Sequence, residues 1–152
     1  MSFVKDNFVF IHIPKTGGTS IASVFDEKAS HQNLDYYKLN QHIKLLDYFK
    51  FAFVRNPYDR YASILNGYED TSATKTQFSF IQVHGLVAVD FVGRFENIDE
   101  DWKKICNLLG IKKELPHLNK GKKHKKLTKE QIEFVNKAYD IDFKTFNYPK
   151  CE

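Results

Sequence analysis

The sequence predicts an α/β protein in which helices flank a small central parallel sheet. Two short runs, 8–13 and 49–54, are mostly apolar and rich in phenylalanine and valine, which is typical of buried strands. Segments with helical spacing or helix-capping residues follow each run. With 152 residues and 42% hydrophobic content the chain can build one core, and we expect residues 1–152 to form a single domain.

Strands and helices alternate along the chain, as a parallel sheet with helical crossovers requires. The predicted strands are 8–13, 49–54 and 87–95, and the predicted helices are 19–28, 57–66, 77–86, 99–109 and 128–139, with a weaker helical pattern at 41–49. Residues 30–41, 70–76 and 111–126 are predicted loops, and the aromatic tail 140–150 is expected to dock on the domain.

Several helix ends carry capping residues. Asn56 is a suitable N-cap for a helix with Pro57 in its first turn, and Gly67 and Gly110 fit the ends of two helices. Thr128 has Gln131 three residues later, which predicts a capping box.

The composition limits the compartment and the kind of partner. No apolar run approaches the roughly 20 residues of a membrane helix, and from the N-terminal residues we expect no secretory leader. Cys106 and Cys151 have no metal-binding spacing and are expected to be free thiols, so we expect a cytoplasmic protein without a membrane partner. The net charge of +4 is modest, but five lysines cluster at 120–126, which favours an anionic ligand over nucleic acid.

The loop "PKTGGTS", residues 14–20, joins the first predicted strand to the first predicted helix. Glycines allow a tight turn whose N–H groups approach a ligand, and the start of a helix favours an anion. A lysine and three hydroxyl groups complete a phosphate or sulfate cradle, formed by Lys15, Thr16, Gly17, Gly18, Thr19 and Ser20. The loop is not a Walker A motif, because its lysine precedes the glycines, and no magnesium carboxylate is evident; Asp90, Asp59 and Arg60 are interpreted as structural.

A second anion-binding pair follows the strand 49–54. Arg55 lies at the strand end with a planar fork suited to phosphate, and Ser63 lies about two turns into the next helix. Ligands of such sheets gather beyond the carboxyl ends of the strands, so we expect Lys15 and Arg55 to lie along the same edge.

These motifs resemble those of sulfotransferases that use 3′-phosphoadenosine-5′-phosphosulfate (PAPS), and especially the carbohydrate O-sulfotransferases of the heparan sulfate type. "HIPKTGGTS" resembles their 5′-phosphosulfate loop, and "FVRNPYDRYAS" supplies the arginine and serine of their 3′-phosphate motif. "GRFENIDEDWKKICNLLGI" and the closing run from Tyr139 to Tyr148 also resemble the family. The resemblance implies a three-layer, P-loop-like fold and a metal-free transfer from PAPS to a hydroxyl group of a carbohydrate or small molecule.

The resemblance also implies individual roles. A histidine just before the second core strand often serves as the base, which points to His42, with Lys15 stabilising the leaving group. A basic loop near the carboxyl end closes over the nucleotide, which points to Lys120 and Gly121. Reserve bases are His31, His84, Glu69 and Asp70, whereas His12 and Trp102 are interpreted as core residues.

Two other functions remain open from sequence alone. The segment that usually builds the acceptor cleft is shortened to about 68–86, so the cleft is either open, completed by a second copy in a homodimer, or built for a small substrate. A chain without an acceptor site would be a non-catalytic PAPS binder. A P-loop-like kinase or nucleotide hydrolase is the third candidate, and it would require magnesium and a triphosphate.

Overall fold

A computed structural model describes residues 2–27, 31–40, 47–65, 74–116 and 126–151. Its strands are β1 (Phe3–Lys5), β2 (Phe8–Ile11), β3 (Phe49–Val54), β4 (Gln82–Val83), β5 (Leu86–Val87) and β6 (Phe91–Arg94). Its helices are α1 (Gly18–Val24), α2 (Leu34–Asn40), α3 (Pro57–Leu65), α4 (Phe78–Ile81), α5 (Ile98–Leu109), α6 (Lys129–Ala138) and α7 (Asp140–Phe146). A 3-10 turn, Phe95–Asn97, joins β6 to α5.

The central sheet has the strand order β1-β2-β3-β6. Strands β2, β3 and β6 are parallel, and β1 pairs with β2 in the antiparallel sense. The carboxyl ends of β2 and β3 are therefore neighbours, and the loops that follow them start at the same edge of the sheet. Among the described residues, no helix is both long and apolar enough to cross a membrane.

The side chains of β2 and β3 alternate between two different cores. Phe8, Phe10, Phe51 and Phe53 point to one side, where α1 and α5 pack; we call this core the phenylalanine face. The residues between them point to the other side, where α2, α4, α6 and α7 contribute to a core that we call the network face, with the strand residues Val9, Ile11, Ala52 and Val54. Helices thus cover both sides of the sheet, which confirms the predicted three-layer α/β fold.

Helix capping follows the sequence closely. The Asn56 side chain accepts the N–H of Tyr58 at 2.9 Å, as expected of the N-cap of α3. Thr128 and Gln131 form the predicted capping box of α6, and Gly110 ends α5 with a left-handed φ of 66°. Gly67 lies outside the described residues.

The prediction of a helix over 77–86 is wrong beyond Ile81. Only Phe78–Ile81 is helical, and a hairpin of β4 and β5 follows it. His84 and Gly85 both have positive φ, at 52° and 80°, which is the geometry of a tight hairpin turn. This reversal of the chain, rather than a longer helix, pairs Val83 with Leu86.

The strand predicted at 87–95 is divided in two. Asp90 interrupts it because its carboxylate accepts the backbone N–H of Lys50 at 2.7 Å and contacts the Lys50 ammonium at 2.7 Å. The Asp90 N–H also donates to the Lys50 carbonyl at 2.7 Å, so this residue fixes the start of β6 beside β3. The structural interpretation of Asp90 agrees with these contacts.

Besides the hairpin, three further segments of regular secondary structure were not predicted from the sequence. Residues 34–40 form α2 inside a predicted loop, with Asn33 accepting the N–H of Tyr36 at 3.0 Å. The tail contains α7, which buries Phe143 and Phe146. The short strand β1 pairs with β2 through Phe3 and Phe10. Each segment gains its stability from tertiary burial, which local propensity does not report.

Candidate active site

The loop between β2 and α1 depends on its two glycines for different reasons. Gly17 has a φ of 87°, and a Cβ atom there would lie 2.7 Å from Cδ1 of Ile98. Gly18 is the first residue of α1, and a Cβ atom there would lie 1.9 Å from Cδ2 of His12. Gly17 is therefore required by both backbone conformation and close packing, and Gly18 by close packing alone.

The residues around the glycines are held tightly. Lys15 has a positive φ of 69°, which is unusual for a residue with a side chain. Thr16 is fully buried, and its hydroxyl donates to the Ile13 carbonyl at 2.7 Å, so that hydroxyl proton is used within the loop. Thr19 is exposed and Ser20 is half-buried, and both lie in the first turn of α1.

Arg55 lies directly after β3 and meets this loop. One guanidinium nitrogen of Arg55 lies 3.3 Å from the Lys15 carbonyl, and the guanidinium carbon lies 4.3 Å from the centre of the Phe95 ring. Burial lowers the pKa of Arg55, although Asp59 and Glu96 oppose that shift. The structure thus brings Arg55 against the backbone of Lys15, as the strand order requires.

Arg60 fixes the loop from the network face. It is 1% exposed, and its Nε and Nη1 atoms donate to the carbonyls of Pro14 and Lys75, each at 3.0 Å. Burial lowers the pKa of Arg60, and the carboxylate of Asp142 opposes that effect. The structural role expected for Arg60 agrees with these contacts, because its guanidinium joins residue 14 to residue 75.

A family comparison gives this geometry its chemical context. The model of the sulfotransferase family matches residues 3–85 and residues 83–149, which together cover nearly all of the chain. The chain belongs to the sulfotransferase family. The comparisons with curated proteins and with solved structures gave no match.

The other predicted site residues lie in several different parts of the chain. Ser63 lies in the second turn of α3, eight residues after Arg55, and is half-buried. His42, Lys120 and Gly121 lie outside the described residues, as do the reserve bases Glu69 and Asp70. His84 is exposed in the β4–β5 turn, and the His31 ring centre lies 4.9 Å from that of His12.

A polar cavity of about 570 Å³ lies between the segments 31–33 and 74–82. Its lining includes the side chains of His31, Gln32, Thr74, Lys75, Thr76 and Ser79. Two of its lining residues are connected to the loop through one other residue each. Arg60 donates to the carbonyls of both Lys75 and Pro14, and the His31 ring lies beside that of His12, which packs against Gly18. Within the residues that the structure describes, no group of three or more His, Cys, Asp or Glu side chains could hold a metal ion.

Sequence reasoning missed Gln77 altogether. Its side chain is fully buried and makes two hydrogen bonds to the backbone of Arg55, from the Arg55 N–H and to the Arg55 carbonyl, each at 2.8 Å. A glutamine ahead of a short helix has no distinctive local pattern, so no signal in the sequence could have identified it. The contact depends on residues 22 positions apart.

Proposed function

We propose that this sulfotransferase moves a sulfuryl group from PAPS to a hydroxyl group of a carbohydrate or small-molecule acceptor. The observation that supports this proposal most strongly is the contact of the Arg55 guanidinium with the Lys15 backbone, 3.3 Å apart, beyond two adjacent parallel strands. A doubly phosphorylated nucleotide needs cationic groups for each of its two phosphate ends, and these two residues can supply them.

The chemistry of the loop suits the 5′ end of that nucleotide. Residues 14–20 contain one lysine, three hydroxyl side chains and two glycines, and no carboxylate. Lys15, Thr16, Gly17, Gly18, Thr19 and Ser20 would hold the 5′-phosphosulfate through side chains or backbone N–H groups. Arg55 and Ser63 would hold the 3′-phosphate, and Lys120 and Gly121 would close over the nucleotide from the basic loop.

Bound PAPS supplies a sulfuryl group attached to a phosphate leaving group. His42 accepts the proton of the acceptor hydroxyl as that oxygen attacks the sulfur, because a histidine titrates near neutral pH. Lys15 stabilises the negative charge that develops on the departing phosphate oxygen. No metal ion is needed in this scheme, since the lysine and backbone donors neutralise the phosphates.

The polar cavity between the segments 31–33 and 74–82 is the proposed acceptor site. A lining of amide, hydroxyl, imidazole and ammonium groups can form many hydrogen bonds with a polyhydroxylated ligand. A volume of about 570 Å³ is in the range of small-molecule sites and would accommodate a small saccharide. This cavity favours an enzyme over a nucleotide binder that has no acceptor site.

Calorimetry with adenosine 3′,5′-bisphosphate tests the donor site. We expect binding without magnesium, and roughly tenfold or greater weakening in both Lys15→Ala and Arg55→Ala, because each change leaves a phosphate without its cation. Lys103→Ala, which removes an exposed lysine from α5, is the matched control and should bind normally. Preference for ATP with magnesium would reject the proposal in favour of a kinase or nucleotide hydrolase.

Turnover tests the catalytic part. A screen of saccharides and small alcohols with sulfur-labelled PAPS should yield a sulfated product. His42→Ala should retain bisphosphate binding and lower turnover by about 100-fold or more, the usual contribution of a general base. Unchanged turnover would remove His42 from this role, and the absence of any product despite tight bisphosphate binding would favour a non-catalytic binder.

A further inference from the structure

We propose that the C-terminal segment 139–148 holds Arg55 in position for the 3′-phosphate, with Gln77, Asp142 and Tyr148 as positioning residues. The proposal rests on the proposed function, in which Arg55 binds that phosphate. The segment belongs to the motif run that resembles the family, but none of its residues has a role in the donor loop or at the proposed base. Two hydrogen-bonded routes connect it to Arg55 and its neighbour.

The first route runs through α4. The fully buried carboxylate of Asp142 accepts the N–H groups of Gln77 and Phe78, at 2.8 and 2.9 Å, and so holds Gln77 at the start of α4. The Gln77 amide then accepts the N–H of Arg55 and donates to its carbonyl. These are the two bonds that a neighbouring strand would make to a residue in a ladder.

The pairing fixes the backbone of Arg55 just past the end of β3. Without Gln77, the backbone N–H and carbonyl of Arg55 would lack these two hydrogen bonds, and the Arg55 side chain is the one proposed to point to the ligand. A buried amide that makes both bonds to one residue restricts the direction of that residue more than apolar packing can, because hydrogen bonds are directional. Gln77 therefore determines the position and orientation of the Arg55 backbone, from which the side chain extends.

The second route runs through the turn after β6. The Tyr148 hydroxyl donates to one oxygen of Glu96 at 2.9 Å, and the other oxygen of Glu96 accepts the N–H of Asn56 at 2.6 Å. Arg94 donates to the Phe146 carbonyl at 2.6 Å and lies 4.5 Å from the centre of the Tyr148 ring. The C-terminal segment thus holds both residues that flank Phe95.

The guanidinium group of Arg55 packs on the ring of Phe95, with 4.3 Å between the guanidinium carbon and the ring centre. The two routes therefore restrain different parts of the arginine. Gln77 and Asp142 orient its backbone, and Tyr148 with Glu96 steadies the turn that carries the ring beneath its guanidinium. An arginine held at both ends loses less conformational freedom when it binds a phosphate.

The experiment compares two nucleotides that differ only in the group that Arg55 is proposed to bind. Calorimetry measures the dissociation constants of adenosine 3′,5′-bisphosphate and adenosine 5′-monophosphate. Their ratio is the dissociation constant of the monophosphate divided by that of the bisphosphate, and it reports the contribution of the 3′-phosphate. For Gln77→Met, which keeps the side-chain length and removes both bonds to Arg55, we expect this ratio to fall about tenfold. General destabilisation of the fold would weaken both nucleotides together and leave the ratio unchanged.

Trp102→Phe is the matched control. It removes one partly buried hydrogen bond, from the Trp102 indole to the Lys113 carbonyl at 2.8 Å, from the phenylalanine face. We expect a lower melting temperature and an unchanged ratio. Asp142→Asn is the second variant, for use if Gln77→Met does not fold; it retains one acceptor oxygen and should lower the ratio by about threefold.

The outcomes separate the two proposals. A wild-type chain that does not prefer the 3′-phosphorylated nucleotide would overturn the proposed function, and this assignment with it. A wild-type chain that has the preference, together with a Gln77→Met or Asp142→Asn variant that retains it fully, would overturn the positioning role alone.

Discussion

The two sides of the central sheet are stabilised by different kinds of contact. The phenylalanine face is built from apolar side chains, with the ring centres of Phe8, Phe10 and Phe49 lying 5.1–6.2 Å from that of Phe51. The network face contains aliphatic and aromatic residues and also the buried polar side chains of Arg60, Gln77 and Asp142.

This difference corresponds to a division of tasks. Apolar burial is strong but has no direction, so it can stabilise a sheet without fixing a particular side chain. Buried hydrogen bonds contribute less net stability, yet an unmatched partner is costly and the geometry is narrow. We therefore infer that apolar burial on both faces supplies most of the stability and that the buried hydrogen bonds of the network face determine the geometry of the proposed donor site.

Phe51→Ala should produce the largest loss of stability. Phe51 is fully buried, and removing its ring leaves a cavity among several other rings, so the free energy of unfolding should fall by about 3–5 kcal/mol. Urea denaturation measures this loss. The fraction of protein that remains folded should bind adenosine 3′,5′-bisphosphate normally, and a matching loss of affinity would contradict the proposed division.

Arg60→Met should produce a smaller loss of stability but a clear loss of binding. It leaves the buried carbonyl of Pro14 and the partly buried carbonyl of Lys75 without their donor, which should lower the free energy of unfolding by about 2–4 kcal/mol. The loop that carries Lys15 should then lose its position, and bisphosphate binding should weaken about tenfold. Arg60→Lys should recover little, since an ammonium group cannot reproduce the fork of a guanidinium.

Gly18→Ala tests the close packing at the start of α1. The new methyl group would overlap the His12 ring, so we expect a loss of about 1–3 kcal/mol in the free energy of unfolding. The same substitution in a His12→Ala background should cost much less, because the obstructing ring is gone. Gly110→Ala is a control for backbone strain alone, since no atom lies within 4 Å of a Cβ placed there. Equal costs of Gly18→Ala in both backgrounds would exclude the clash with His12.

Tyr148→Phe should have the smallest effect at neutral pH, about 1 kcal/mol for one lost hydrogen bond. Burial, followed by the Glu96 carboxylate, raises the pKa of Tyr148 above its ordinary value. A raised pKa in the folded state means that this contribution to stability is complete below about pH 10, where the unfolded tyrosine begins to ionise, and is lost at higher pH.

The free energy of unfolding of the wild type should therefore fall above about pH 10, and that of Tyr148→Phe should fall less steeply. Urea titrations between pH 8 and pH 11 measure the difference. Burial also raises the pKa values of Tyr58 and Tyr139, so the variant should retain part of the slope. Identical slopes would mean that Tyr148 is not shielded from ionisation.

Much of the geometry around the proposed donor site could be predicted because its signals are local. The apolar runs, the Asn56 cap, the Thr128 capping box and the glycine-lysine loop all depend on residues within a few positions of one another. The order of the elements then implied parallel neighbours, and β2 beside β3 brought Arg55 to Lys15. The hairpin at 82–87 and helix α7 were missed because tertiary packing outweighs weak local preference there.

The sequence by itself determined the three-layer class, the two motifs that we propose to bind the nucleotide, and the edge of the sheet where they meet. Only the tertiary structure decided that Gln77 holds the backbone of Arg55, that Arg60 holds the carbonyl of Pro14, and that Asp142 supports Gln77 across 65 residues of chain. The physical reason is that backbone conformation and capping depend on neighbouring residues, whereas the partner of a buried polar side chain depends on which distant segments the packed core brings together.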